Sequence, residues 1–490
     1  MFNRFVRYSL KLLKKILHKD IFIQLVTISK FFYTIFLISD NSFAMNRFEL
    51  THSGSIEIYY LQTESLIPNL LLLQLQMDKE QYQYHTLPNG IRVVHKHVSG
   101  MVAHAGVLIN AGSRDEEPEE HGLAHFIEHT FFKGTQRRKA FHVISRLDTI
   151  GAELNAFTTK EETMIYASFL KEYYARTLEL LADIVFSSVF PDHELRKEKE
   201  VVRDEIDSYK DTPSEMIFDQ FEEETYKGHS LGRNILGTKR NIRKFSRKQI
   251  HGFLNRNYQS NQIVIASVGD IRFDKLIKNV SKYFCPGNSS ERTHQPKLFQ
   301  EYRPFEKTVS KKVSQNHCII GNVAYDFYQD DKKLILTLLS NLLGGTGMNS
   351  RLNLSIRERR GYAYHVESNY NPYVDTGLFN IYLGCNNGYL EPSIELVHKE
   401  LKALREKALG PVQLNMAKRQ MIGQMAIYYE SNLNEMMSIA KSCLLFNRVE
   451  SLEEVAEKIN AITEKQMMEV ANEIFEPQLL STLIYKKPSR

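Results

Sequence analysis

His125, Glu128 and His129 frame the run His-Phe-Ile-Glu-His, an H-x-x-E-H pattern. On a helix, residues three and four apart share one face, so the two imidazoles and the carboxylate would project together. Two imidazoles on one face can hold a zinc ion, and a carboxylate beside them can act on a zinc-bound water. The order is the mirror of the H-E-x-x-H zinc peptidase motif. Histidine is sparse here, 17 in 490 residues. The competing reading of the bare run is a polar helix face with two unrelated histidines.

A catalytic zinc site takes three protein ligands and leaves one position open. The stretch from His193 to Asp211 reads as a long charged helix, with Val201, Val202 and Ile206 able to seat it on a core. Its Glu198 and Glu205 are two turns apart on one face. A charge-rich helix is usually a solvated surface, and the pattern does not choose Glu205 from its neighbours.

The run Gly122 to Thr135, Gly-Leu-Ala-His-Phe-Ile-Glu-His-Thr-Phe-Phe-Lys-Gly-Thr, resembles the signature of the pitrilysin-type inverted-motif zinc peptidases. The likeness is to their short-chain branch, which includes the mitochondrial processing peptidase and its bacterial relatives. It continues through Leu87–Val93, Gly106–Glu116, Leu154–Thr158, Leu231–Thr238, Gly344–Leu352 and Ile356–Tyr364. Residues before about position 77 match nothing in the family.

The resemblance implies roles. His125, His129 and Glu205 would bind one zinc ion per chain, Glu198 would support them from behind, and Glu128 would be the general base. Arg357 and Tyr364 match an Arg-x6-Tyr pair that steadies the oxyanion, and Asn155, Ala156 and Phe157 match the edge strand that pairs with substrate. The implied activity is a zinc metalloendopeptidase acting on extended or unfolded peptides. In the branch, two chains close as a clamshell, one giving zinc and the other the Arg/Tyr pair. This chain has both, so the expected assembly is a homodimer. The alternatives are a non-catalytic scaffold or partner subunit of the same fold, and a processing peptidase of narrow specificity.

The elements around the motif read as a repeat. A helix near Ala140–Ile150 ends at Gly151, extended segments follow (Leu154–Thr158, Thr163–Leu170), then a helix over Glu172–Val185. The same succession recurs with Arg351–Arg360 ending at Gly361, Ala363–Asn369, Gly377–Gly384 and Leu390–Leu404. A glycine after each first helix is a plausible C-cap. Two homologous α+β domains follow, each an antiparallel-rich sheet covered by helices on one face, together half of a clamshell. The expected divisions are a leader, 1–76; a catalytic domain, 77–285; a linker, 286–304; and a second domain without the metal motif, 305–490.

Apolar content of 42% and charge of 25% are those of a globular protein. Net charge is +5, with no basic stripe carrying interleaved aromatics, so nucleic acid is not an expected partner. Cys285, Cys318, Cys385 and Cys443 form no C-x-x-C pair and read as reduced thiols. Residues 1–19 are basic, Ile21–Ser39 largely apolar, and Ser42-Phe43-Ala44 has signal-peptidase spacing. Lys30 breaks the apolar stretch, and Met77 sits just ahead of the first family strand. The favoured reading is translation from Met77 and a cytoplasmic protein. Export or membrane anchoring would follow only if residues 1–76 were made and retained.

Overall fold

The computed structural model describes residues 45–50, 56–61, 81–285 and 290–488. Met45–Leu50 (β1) and Ile56–Leu61 (β2) pair as an antiparallel hairpin within a unit, Met1–Glu80, separate from the compact unit Gln81–Arg490. The start-site, signal and anchor readings of the leader otherwise lie outside the described residues. No helix among the described residues is long and apolar enough to cross a membrane.

The first sheet contains β3 (Gln83–Thr86), β4 (Arg92–His97), β5 (Val102–Ile109), β6 (Glu153–Thr158), β7 (Thr163–Leu170) and β8 (Ile263–Gly269), in the order β3-β4-β8-β5-β7-β6. The second contains β9 (Glu306–Ser310), β10 (Asn316–Ala324), β11 (Ala363–Pro372), β12 (Gly377–Cys385) and β13 (Ser481–Lys486), in the order β11-β12-β10-β13-β9. Taken from one edge, β6-β7-β5-β8-β4 and β11-β12-β10-β13-β9 are the same succession. Each sheet has a single parallel pair, at β4–β8 and at β13–β9. The repeat legible in the sequence is therefore a duplication of the whole topology.

The first half carries helices α1 (Leu123–Thr130), α2 (Ala140–Asp148), α3 (Tyr174–Ser187), α4 (Asp192–Lys210), α5 (Pro213–Thr225), α6 (Arg247–Asn257) and α7 (Phe273–Phe284). The second carries α8 (Asp330–Gly344), α9 (Leu390–Glu406), α10 (Pro411–Tyr429), α11 (Asn432–Phe446), α12 (Leu452–Ala461) and α13 (Glu464–Ile474). Ala105, Val107 and Ile109 of β5 point into a core with Leu178 and Leu181 of α3, Val280 of α7 and Phe126 of α1.

Each sheet is covered on both faces, where the sequence suggested one. The second face of the first sheet (Val94, Leu108, Met164, Val264, Ala266, Val268) packs against Met436, Ile439, Ala440 and Cys443 of α11, a helix from the other half. In return α5 brings Ile217 and Phe221 onto Ile319, Leu378 and Leu483 of the second sheet. The cause lies in the strands. β8 and β12 are buried at every residue, so neither face tolerates water. Each half leaves an apolar face that a helix of the other half fills.

A polar connection reinforces this exchange. Arg114, 3% exposed, donates to Glu161 and to Asp375 of the second half, both at 2.6 Å. Residues 290–304 run between the halves without helix or strand and are pinned by a buried Arg292–Asp115 ion pair. Phe221→Ala should cost about 3–5 kcal/mol. Because α5 belongs to both halves, denaturant unfolding followed by fluorescence and by circular dichroism should shift as one transition. Separate transitions would show that the halves fold independently.

Candidate metal centre

Gly122 precedes α1 with φ +96°, and Gly237 lies opposite with φ +73°. A Cβ on Gly237 would stand 2.5 Å from the Gly122 Cα and 2.5 Å from the His121 carbonyl oxygen, closer than carbon atoms approach. Only glycine fits on both sides, so the loop Leu231–Thr238 lies backbone to backbone on the start of α1. His121 Nε2 meets the Asn234 carbonyl oxygen at 2.7 Å in the same contact. Glu116 closes the helix end. Its buried carboxylate accepts from the Gly122 and Ala124 amides at 2.9 and 2.8 Å, which suits the positive end of a helix. Burial pushes this carboxyl up to about 8, against those two amide hydrogen bonds, which favour the charged form.

α4 crosses α1 with Leu195, Val202 and Ile206 buried. Val201, expected to help seat it, is instead 48% exposed: it lies one position off the buried stripe, and helical spacing turns it outward. The crossing brings His125, His129 and Glu205 together, with one candidate ligand atom of each within 4.8 Å of the others. His125 Nε2 is 3.8 Å from Glu205 Oε1, and His129 Nε2 is 3.5 Å from Glu205 Oε2. Ligand atoms around a tetrahedral zinc, with bonds of about 2.0–2.1 Å, stand roughly 3.3 Å apart, so the spacing suits a small cation. Glu205 Oε2 is buried without a hydrogen-bond donor. A cation between the three groups would satisfy it.

Burial pushes His125 down to about 3, with the charge of His129 adding to the effect, so its ring is neutral, as a ligand must be. His129 is drawn up by its hydrogen bond to Glu198, against burial; the pair is 3.3 Å apart, Nδ1 to Oε2. Burial alone would raise Glu198, but hydrogen bonds from His129 and from Lys133 (2.5 Å) hold it below the usual carboxylate value. Glu128 sits half-buried between the histidines in sequence. Burial raises its carboxyl, while Thr158 at the end of β6 pulls the other way.

Asn155, Ala156 and Phe157 lie on β6, the edge of the first sheet, which among the described residues pairs only with β7. Arg357 and Tyr364 are in the second half and take no part in the cluster. Arg357, on a π-helical turn (Asn353–Glu358) where a plain helix was expected, pairs with its neighbour Glu358 at 3.8 Å. Tyr364 falls where β11 slips register against β12 and is 79% exposed. Sequence reasoning gave no role to Glu116, Lys133, Thr158 or Gly237. An acid shortly before a helix start and a lysine one turn past His129 were the available signals.

Residues 92–239 match the family described as Insulinase (Peptidase family M16), and residues 244–421 match Peptidase M16 inactive domain. A Bacillus subtilis relative named as an uncharacterized zinc protease, YmxG, is 34% identical over 406 residues, 82% of this chain and 97% of its own. One from Rickettsia bellii, also named as an uncharacterized zinc protease, is 29% identical over 83% of this chain and 98% of its own. In fold, a Helicobacter pylori protease superposes with TM-score 0.77 at 23% identity, over 83% of this chain and 99% of that one. A Pseudomonas fluorescens protein described as a peptidase M16 inactive domain gives 0.76 at 19%, over 83% and 98%. The class is thus a two-domain protein of the zinc metallopeptidase kind. The chain belongs to peptidase family M16.

Glu116→Gln would turn an amide donor towards a helix N–H. A loss of about 1–3 kcal/mol is expected, read as a lower Tm together with lower zinc occupancy of the purified protein. An unchanged Tm would mean that the two amides do not need the carboxylate.

Proposed function

We propose that this chain is a zinc metalloendopeptidase that cuts extended or unfolded peptides, with His125, His129 and Glu205 holding one zinc ion and Glu128 as the base. The observation that carries this reading is the meeting of three ligand atoms within 4.8 Å, two of them from the helix that also bears Glu128 and the third from α4. Zinc bound there would supply a Lewis acid able to bring a water near neutral acidity and to polarise a carbonyl. The rest falls to the chain. Glu128 takes a proton from the attacking water and returns it to the leaving amine. The open edge of β6 at Asn155, Ala156 and Phe157 takes the peptide by main-chain pairing. Thr158 ends that strand beside Glu128, so a paired peptide runs past the carboxylate. Main-chain pairing tolerates many side chains, which favours broad use of extended peptides over a narrow processing role.

Arg357 and Tyr364 would steady the negative oxygen of the tetrahedral state. Both are exposed to solvent away from the cluster, which suits supply to a second copy across a homodimeric clamshell. A non-catalytic scaffold of the same fold would have no use for Glu128 beside an intact ligand set.

Wild type should carry about one zinc per chain and hydrolyse unfolded peptides. Glu128→Gln should keep the metal and lose about 10²–10⁴ in rate, checked by metal analysis beside peptide cleavage. A Glu128→Gln protein of full activity would remove the base. Shared sites make a second prediction. Glu128→Gln and Tyr364→Phe chains, each nearly inactive alone, should recover roughly a quarter of the wild-type rate after subunit exchange. No recovery despite exchange would place the site within one chain.

A further inference from the structure

Helix α4 presents two chemically identical glutamates to one imidazole. Glu198 Oε2 stands 3.3 Å from His129 Nδ1, and Glu205 Oε2 stands 3.5 Å from His129 Nε2. Something must decide which carboxylate faces the metal and which supports the ring from behind. Glu205 also faces His125, and what holds Glu198 away from that cluster is Lys133. Its ammonium is 2.5 Å from Glu198 Oε1, and the two side chains are 26% and 8% exposed. Lys133 follows His129 by four residues, past the end of α1 in the 3-10 turn Phe131–Lys133, so it lies over the same face one turn on. Glu198 therefore has one oxygen on Lys133 and the other on His129. Glu205 Oε2 has no hydrogen-bond donor.

We propose that Lys133 is a positioning residue for the metal: by anchoring Glu198 it fixes His129 with its proton on Nδ1 and its free lone pair on Nε2, and keeps Glu198 out of the ligand cluster. Swinging Glu198 towards the metal would strip a largely buried ammonium of its partner. Removing Lys133 frees the carboxylate to turn, and the ring loses the contact that sets its tautomer. The inference rests on the reading of His125, His129 and Glu205 as zinc ligands. It differs from an ordinary ion pair, which would act on folding stability and leave the metal alone.

The test is the zinc dissociation constant of the full chain, by competition with a chromophoric chelator, alongside melting of each metal-free protein. Lys133→Met should bind zinc about 10–100-fold more weakly, while Lys133→Arg, which keeps charge and donors, should stay within roughly threefold. Glu198→Gln should weaken binding by itself, and adding Lys133→Met to it should change affinity less than about twofold. That coupling would be evident even if Lys133→Met alone melted early. Wild-type affinity in Lys133→Met, or losses that multiply in the double variant, would overturn the inference while leaving the ligand set intact. A wild type that takes up no zinc would overturn the ligand reading and this inference together.

Discussion

An eight-residue helix does not hold together in water, yet α1 must keep two imidazoles at a fixed separation. Its order comes from what grips it. Leu123, Phe126 and Ile127 are fully buried in the first core, Glu116 binds its first amides, and Gly122 lies against Gly237. α4 then crosses it to bring in Glu205. Each grip comes from a different part of the first half, so the cluster forms only when that half has folded around it. The glycine contact is a direct instance: a methyl group on either side would push the loop 231–238 off the helix and release the Asn234–His121 hydrogen bond.

Three consecutive ionisable residues, Arg114, Asp115 and Glu116, connect that grip to the rest of the chain. Arg114 reaches Glu161, in the turn between β6 and β7, and Asp375 in the second half. Asp115 takes Arg292 from the connecting segment. Glu116 takes the metal helix. Burying Arg114 and Asp115 side by side is costly unless each charge is paired, and here each is, while the Glu116 carboxyl is held by two amide hydrogen bonds. With α5 and α11 exchanged between sheets, the second half is thus part of the support of a site that it does not line. A change at Asp375 would reach α1 through the three consecutive residues Arg114 to Glu116.

Much of this was readable from the residues. β7 was delimited correctly and α4 to within a residue or so, because alternation and a seated charged stripe are strong local signals. H-x-x-E-H named three of the four groups at the centre, and resemblance named Glu205. Pattern alone could not separate Glu205 from Glu198, since the two are equivalent on a helical wheel. Their difference arises from Lys133 and from which ring nitrogen each meets, which are facts of packing. The exchange of α5 and α11 was hidden for a related reason. Periodicity reports that a face is apolar, and it is silent on which distant segment covers it. The π-helical turn at Asn353–Glu358 likewise looked like plain helix, because a single widened turn leaves the spacing of apolar residues almost unchanged.

The duplication also explains why only one half carries the His125–His129–Glu205 cluster. Between β5 and β6 the first half places α1, short and interrupted, with polar groups on its outer face. Between β10 and β11 the second half places α8, fifteen residues long, with Ile335, Leu336, Leu338, Leu339 and Leu343 buried and no histidine in the segment. A long apolar helix stabilises its own sheet and needs no external grip. A short one bearing two histidines contributes little to stability and depends on Glu116, Gly237 and α4. The same topology thus serves opposite ends: the second half, secure in its own core, can give up α11 to cover the first sheet. The first half can then carry a helix whose outer face presents two histidines to Glu205.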